Sequence, residues 1–587
     1  DVCFSDLHLN DPFGGVNAPA AWDITTGSAS TVVAVLDTGS TPHPDLTAKL
    51  LPGYDFITNA DPANDGDGRD PDASDPGDWL TAADKMQTRY TECTVRNSTW
   101  HGTAVAGVIA ASTNNGRDVS GLDWNAKILP VRVLGKCGGM SSDIADGMLW
   151  AAGAGVNGVP ANPNPAKVLN MSLGSEGSCS NTYRSVFTQL TSTGTIIVTS
   201  AGNDNNNASH TPSDCPGSIA VAATARSGAK ASYSSFGSSV TVTAPGGDGG
   251  DLITTGNTGT TSPGNAAVIG TSGTSFSAPV VSGIISLMLA VRPDLTAAEA
   301  TKILVGTVRP FPDSSCTTAI CGAGIVDAAA AVRAARDRSL GVATMVGFQD
   351  ADVGRPNTDL QLKVTNLSSG FMTVGNAFMV NGGGDFSVPT TTCAAGLAPD
   401  ASCTLTLRFS PAAGGLRSGE LQFTAGDGRT YRVSLAGFAY ASAKIVEQTA
   451  GTSAAPQYIA KAADGNYWYT QPSANRVARM SPQGQVTEYP LPTSASNPFD
   501  IAAGPDGNMW LTQLDAGRIA RVTPQGVITE FPLPLSTSQP RGIAAGPDGN
   551  LWFTEIATAK IGRITPQGTI TEFDIPWSGA TPRGIAA

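Results

Sequence analysis

Four near-continuous apolar runs constrain the fold of this 587-residue chain more than any other feature. They are TVVAVLD (31–37), KILPVRVL (127–134), KVLNMSL (167–173) and GTIIVTSAG (194–202). A strand with one wet face alternates apolar and polar side chains. Runs without that alternation suit a sheet covered on both faces, which is characteristically parallel. Helical patterns at 102–112, 141–154 and 276–291 lie among them. The alternation predicts an α/β fold with helices on both faces of a parallel sheet, over residues 1–336.

The pattern then changes twice. Over residues 340–438, short alternating segments such as DLQLKVTNLS, SCTLTLRFSP and TYRVSLAGF recur about every ten residues, which predicts an immunoglobulin-like β-sandwich. The stretch LRFSPAAGGLRSGELQFT resembles sandwich modules appended to bacterial surface and secreted proteins. From 443 to 587 a 42-residue period takes over, marked by Ile459, Ile501, Ile543 and Ile585. Each unit holds a DGN turn, an aromatic strand, a basic strand and an ITEFPLP-like strand, which makes one blade of a β-propeller. The units resemble the blades of streptogramin (virginiamycin B) lyases. Three units and one opening strand make an incomplete propeller, and residues beyond Ala587 are expected to close it.

Composition removes some functions. A formal charge of −13 with no Lys/Arg run argues against nucleic acid as a partner. A hydrophobic fraction of 41% suffices for packed cores. No apolar stretch of 18 or more residues stands out, so no transmembrane segment is expected. The first residue is Asp1 rather than Met, which suggests a removed leader. Nine cysteines without CxxC spacing argue for disulfides in an oxidising compartment rather than for zinc. Cys316/Cys321 and Cys393/Cys403 are close enough in sequence to form local loops.

Chemistry concentrates in a few stretches. His101, one of only four histidines, heads the small-residue helix HGTAVAGVIA. An arbitrary histidine there is a core or surface residue, but three other stretches change its meaning. Asp37 ends the strand VVAVLD, and a buried carboxylate needs a partner such as a histidine N–H. Ser275 opens an apolar helix within GTSGTSFSAPVVSGIISLMLA, where small residues let a peptide backbone approach. A serine there alone would be read as a helix cap. Asn203 follows a strand in TSAGNDN, as an oxyanion donor or as an ordinary turn asparagine. A serine hydroxyl needs a base, and that base needs a carboxylate, so Asp37, His101 and Ser275 form a coherent set.

AVLDTG, HGTAVAGVIA, LNMSLG, SAGN and GTSFSAP, in this order over about 330 residues, resemble the signature blocks of subtilisin-like serine peptidases, the subtilases. The likeness is strongest to secreted, disulfide-bearing Gram-negative members. It implies Asp37, His101 and Ser275 as triad, and Asn203 with the Ser275 N–H as oxyanion hole. Ser172, Leu173 and Gly174, with Gly202, would line the substrate cleft. Ala104 departs from the family, many of whose members have a second histidine there. The resemblance also implies disulfides Cys93–Cys137 and Cys179–Cys215, leaving Cys3 over, and a calcium site at Asp45 and Asn115. A cleaved N-terminal propeptide is expected with it.

The loop DPANDGDGRDPDASDPGD carries seven aspartates in 61–78. It reads either as a solvated acidic loop or as a Ca²⁺ site using Asp61, Asp65, Asp67, Asp70 and Asp72. The leading functional reading is a secreted endopeptidase acting on proteins, with C-terminal modules binding a polymer or cell envelope. Two alternatives are an adhesin dominated by those modules and a propeller-based lyase. The lyase reading is disfavoured because no histidine follows His210. Residues 1–336 are expected to suffice for activity.

Overall fold

The computed structural model describes residues 7–440, 454–576 and 580–586, apart from 118, 208 and 483. Cys3 and the start of the expected propeller segment at 443 lie outside them. Compactness divides the chain into Asp1–Ala443 and Lys444–Ala587.

The first unit is built on a seven-stranded parallel sheet. Its strands are β1 (Val32–Asp37), β2 (Tyr54–Asp55), β3 (Lys127–Arg132), β4 (Val168–Met171), β5 (Ile196–Ser200), β6 (Ser218–Thr224) and β7 (Val242–Pro245). They are ordered β2-β3-β1-β4-β5-β6-β7. β1 shows why the apolar runs do not alternate. Val33 and Val35 enter one core with the helices α1 (His101–Ala110) and α2 (Thr274–Val291). Ala34 and Leu36 enter a second core on the other face, with Ile144, Met148 and Phe187. Burying both faces demands apolar residues at every position.

Helix α2 corrects one expectation. Its 18 residues have a mean hydropathy of 1.8, long and apolar enough to cross a membrane, but 83% of them are buried inside this fold. It is a core helix against β4, β5, β6 and β7. Pro279 sits in its second turn, near the N-terminus, where few backbone bonds are lost.

Two four-stranded sheets follow within the same unit. One contains Leu340–Gly341, Leu360–Asn366, Ser402–Phe409 and Phe386–Thr391; the other contains Met345–Asp352, Thr430–Tyr440, Gly415–Thr424 and Phe378–Asn381. They share one core in which the rings of Phe348, Phe386 and Phe409 lie 4.9–5.7 Å apart. Asp327 ties this region to the α/β part. Its carboxylate caps the helix Ala328–Asp337 through Ala330 N at 2.9 Å and accepts from Thr344 N at 2.7 Å.

The second unit contains three four-stranded antiparallel sheets among its described residues, each following the sequence repeat. Apolar residues of one sheet pack against the next, as Trp468 and Val477 do against Ile501 and Met509. Arg479 lies over the Trp468 ring at 5.9 Å and donates to the Pro524 carbonyl of the following sheet at 2.6 Å. Arg521 repeats the device with Trp510, at 5.8 Å, and Pro566, at 2.8 Å.

Disulfides join Cys93–Cys137, Cys179–Cys215, Cys316–Cys321 and Cys393–Cys403.

Candidate active site

Asp37 is fully buried at the C-terminal end of β1, where its Oδ1 accepts from Thr38 N at 2.8 Å. His101 Nδ1 lies 2.8 and 2.9 Å from its two oxygens. A carboxylate offers only acceptors, so Nδ1 carries the hydrogen and Nε2 is left as the basic nitrogen. Helix α1 comes this close because its second residue is Gly102. A Cβ there would meet the Gly39 carbonyl oxygen at 2.2 Å and Asp37 Cβ at 3.2 Å. Burial draws the His101 pKa down, but the charge and hydrogen bond of Asp37 overcome it, so the net displacement is upward.

Ser275 is the second residue of α2 and is half-buried. The ring of Phe276 beside it lies 5.6 Å from the His101 ring. Two reciprocal contacts seat Ser275 against the end of β4. Ser172 Oγ donates to the Ser275 carbonyl at 2.6 Å, and Ser275 Oγ donates to the Ser172 carbonyl at 3.4 Å. Behind them, Asn170 Nδ2 donates to Ser172 Oγ at 3.0 Å and Ser282 Oγ donates to Asn170 Oδ1 at 2.8 Å. Sequence reasoning missed Asn170 and Ser282. The available signal was a polar amide inside the apolar run KVLNMSL.

Asn203 is exposed, and its oxygen is committed. Oδ1 accepts from Thr274 N and Thr274 Oγ1, both at 2.9 Å. That assigns the amide's orientation and leaves Nδ2 as the end that donates elsewhere. Gly202 stands behind it, its N–H donating to Thr274 Oγ1 at 3.2 Å.

A cleft of about 480 Å³ is lined by His101, Ser172, Leu173 and Gly174, which places three of the four expected cleft residues beside the histidine. Asp78 and Arg96, not singled out from the sequence, also line it. Asp78 is buried, accepting from Arg96 Nη2 at 2.7 Å and Thr99 N at 2.6 Å. Asp75, buried below Thr38, accepts from Thr38 Oγ1 at 2.6 Å, and burial pushes its pKa up to about 7.

The metal candidates separate into two groups. Asp45 is buried, and Asn115 Nδ2 donates to its Oδ1 at 2.8 Å, so the expected pair meets. A buried carboxylate suits a hard cation, but here the amide nitrogen faces it, while Asn115 Oδ1 accepts from Arg117 N at 3.1 Å. The acidic loop is different. Asp65 pairs with Arg132, and Asp61 lies 3.4 Å from Arg89 Nη1. Asp67 N donates to Asp65 Oδ1 at 3.3 Å, Asp70 Oδ1 accepts from Asp72 N at 2.7 Å, and Asp72 Oδ1 accepts from Ser74 N at 2.9 Å. Among the described residues, no three of these carboxylates converge. Arginines supply the positive charge that the loop requires.

Residues 28–348 match the Subtilase family, and residues 422–587 match the Virginiamycin B lyase family. The Extracellular protease of Xanthomonas campestris pv. campestris is 50% identical over 327 residues, covering 55% of this chain and 54% of that protein. The Extracellular basic protease of Dichelobacter nodosus is 44% identical over 325 residues, covering 54% and 53%. The chain therefore spans about half the length of these curated relatives. A solved protease structure from Pseudoalteromonas arctica PAMC 21717 is 49% identical with a TM-score of 0.53, covering 56% of this chain and 97% of that one.

Proposed function

The chain belongs to the subtilase family, and from that membership we propose that it is a secreted serine endopeptidase hydrolysing peptide bonds in proteins. The observation that carries the proposal is the two-oxygen contact of Asp37 with His101 Nδ1, in a cleft also walled by Ser172–Gly174. Ser275 Oγ attacks the scissile carbonyl carbon while His101 Nε2 takes its proton, and Asp37 stabilises the resulting imidazolium. The oxyanion receives hydrogen bonds from Asn203 Nδ2 and the Ser275 N–H. His101 then returns the proton to the leaving amine, giving an acyl-enzyme on Ser275. Water, deprotonated by His101, releases the second product. Ser172, Leu173 and Gly174 hold the extended substrate backbone beside the nucleophile.

Calcium would be held by Asp45 and Asn115 and would stabilise the fold, without taking part in the chemistry. Secretion is supported by the four disulfides among the described residues and by the relatives' names as extracellular proteases. A propeptide removed on maturation and C-terminal modules that position the enzyme on a polymer or cell envelope complete the proposal.

Casein digestion by the intact chain, with and without a serine-directed fluorophosphonate, tests it. Wild type is expected to be active and blocked by the reagent, with Ser275→Ala lower in kcat by about 10⁶. Comparable activity in a folded Ser275→Ala protein would exclude Ser275 as nucleophile.

A further inference from the structure

We infer that Glu176, Asp204 and His210 form a binding site for a single zinc ion at the wall of the cleft. Ser175–Glu176 and His210–Thr211 form a two-stranded ladder in which Glu176 and His210 are directly opposed. Directly opposed residues project their side chains from the same face. Asp204 reaches in from the loop after Asn203, with Oδ2 at 2.7 Å from His210 Nε2. One ligand atom from each residue lies within 4.8 Å of the other two. Tetrahedral zinc, with ligands at about 2.0–2.2 Å, draws such a set inward by small side-chain rotations.

The donor set is mixed and already held in place. The His210 side chain is only 5% exposed, whereas that of Asp204 is 57% exposed, so the site has a fixed imidazole floor and an open side. The ring rests against Gly202, where a Cβ would come within 2.3 Å of it. Asn206 Nδ2 donates to Glu176 Oε1 at 2.8 Å, orienting that carboxylate. The Cys179–Cys215 disulfide joins the two segments just beyond Glu176 and His210, which lowers the entropy lost on binding. One imidazole with two carboxylates favours a borderline cation such as zinc. Calcium prefers six to eight oxygens.

The position gives the site its interest. Ser175 and Thr211, the neighbours of Glu176 and His210, line the same cleft as His101. Asn203 adjoins Asp204. A cation here would sit beside the path of a bound peptide.

The test is calorimetric titration of zinc chloride into the intact Ser275→Ala chain, which does not require hydrolytic activity. One saturable equivalent is expected, weakened about tenfold or more in the added variants His210→Gln and Glu176→Gln. Circular dichroism confirms that each variant is folded, and Glu176, being exposed, keeps the test available if His210→Gln fails to fold. No saturable binding, equal affinity in folded variants, or displacement of zinc by equimolar calcium would each overturn the site. Because binding is read without turnover, its failure leaves the hydrolytic assignment to be judged by the casein assay alone.

Discussion

His101 is under two opposed influences: burial favours its neutral form, and Asp37 favours the cation and prevails. In the proposed role of general base His101 must be neutral to accept a proton, so activity is expected to rise as pH climbs through this pKa. The acid limb of kcat/KM is therefore expected above the ordinary histidine value of 6.5. Asp37→Asn removes the raising influence and leaves burial. Its acid limb should move to lower pH while kcat falls by about 10⁴. A pH-rate series on both proteins checks this, and an unmoved limb would show that the contact does not control titration. The same upward displacement stabilises the fold below the unfolded histidine's pKa, a contribution lost as pH rises through the folded value. Asp37, His101, Ser275 and Asn203 stood out in the sequence as candidates because each is a reactive or polar residue placed at the edge of an apolar or small-residue run. Ser282 did not, since a hydrogen bond between a strand and a distant helix leaves no local pattern, and Asn170 showed only as an amide inside an apolar run, which does not name its partners. The role of Arg132 beside Asp65 was hidden for the same reason.

At the level of elements, the decisive contact is the approach of α1 to the end of β1. Gly102 allows it, and Gly102 N also donates to Thr38 Oγ1 at 3.1 Å. Gly102→Ala places a methyl against the Gly39 carbonyl, a backbone atom that cannot swing aside. The helix must retreat and take His101 with it. A loss of about 1–3 kcal/mol in stability is expected, with a fall in kcat well beyond the fall in Tm at the assay temperature. Unchanged kcat in Gly102→Ala would mean that the helix has room. The strands β1, β3, β4 and β5 were legible because double-faced burial writes itself as an unbroken apolar run. The segment SIAVAAT of β6 was not recognised, since alanine carries little strand preference and short apolar runs do not distinguish strand from helix. The hairpin Leu252–Asn257 with Ala266–Thr271 was missed as well, its strands rich in threonine, glycine and alanine. Helix α2 was legible to within two residues, 276–291 against the observed Thr274–Val291, because its apolar run is too long for a strand.

On the scale of the whole molecule, residues 1–443 form one compact unit. Truncation after 336 would leave Asp327, only 1% exposed, without Thr344 N and Thr344 Oγ1. Of its described partners only Ala330 N would remain to it, and a buried carboxylate oxygen left unsatisfied costs about 1–3 kcal/mol. Residues 1–443 are therefore expected to digest casein like the intact chain and to melt at a similar temperature, and residues 1–336 to melt several degrees lower. Equal melting of the two fragments would show that Asp327 does not depend on Thr344. The repeats of the second unit follow a different rule. Arg479 and Arg521 each reach forward to the next sheet's proline carbonyl, so these two junctions are latched in one direction along the chain. Such an array has a grammar, in which each word is completed by the one after it. Damage to one latch is felt first at the junction ahead, and the repeats loosen in an order that the sequence itself dictates.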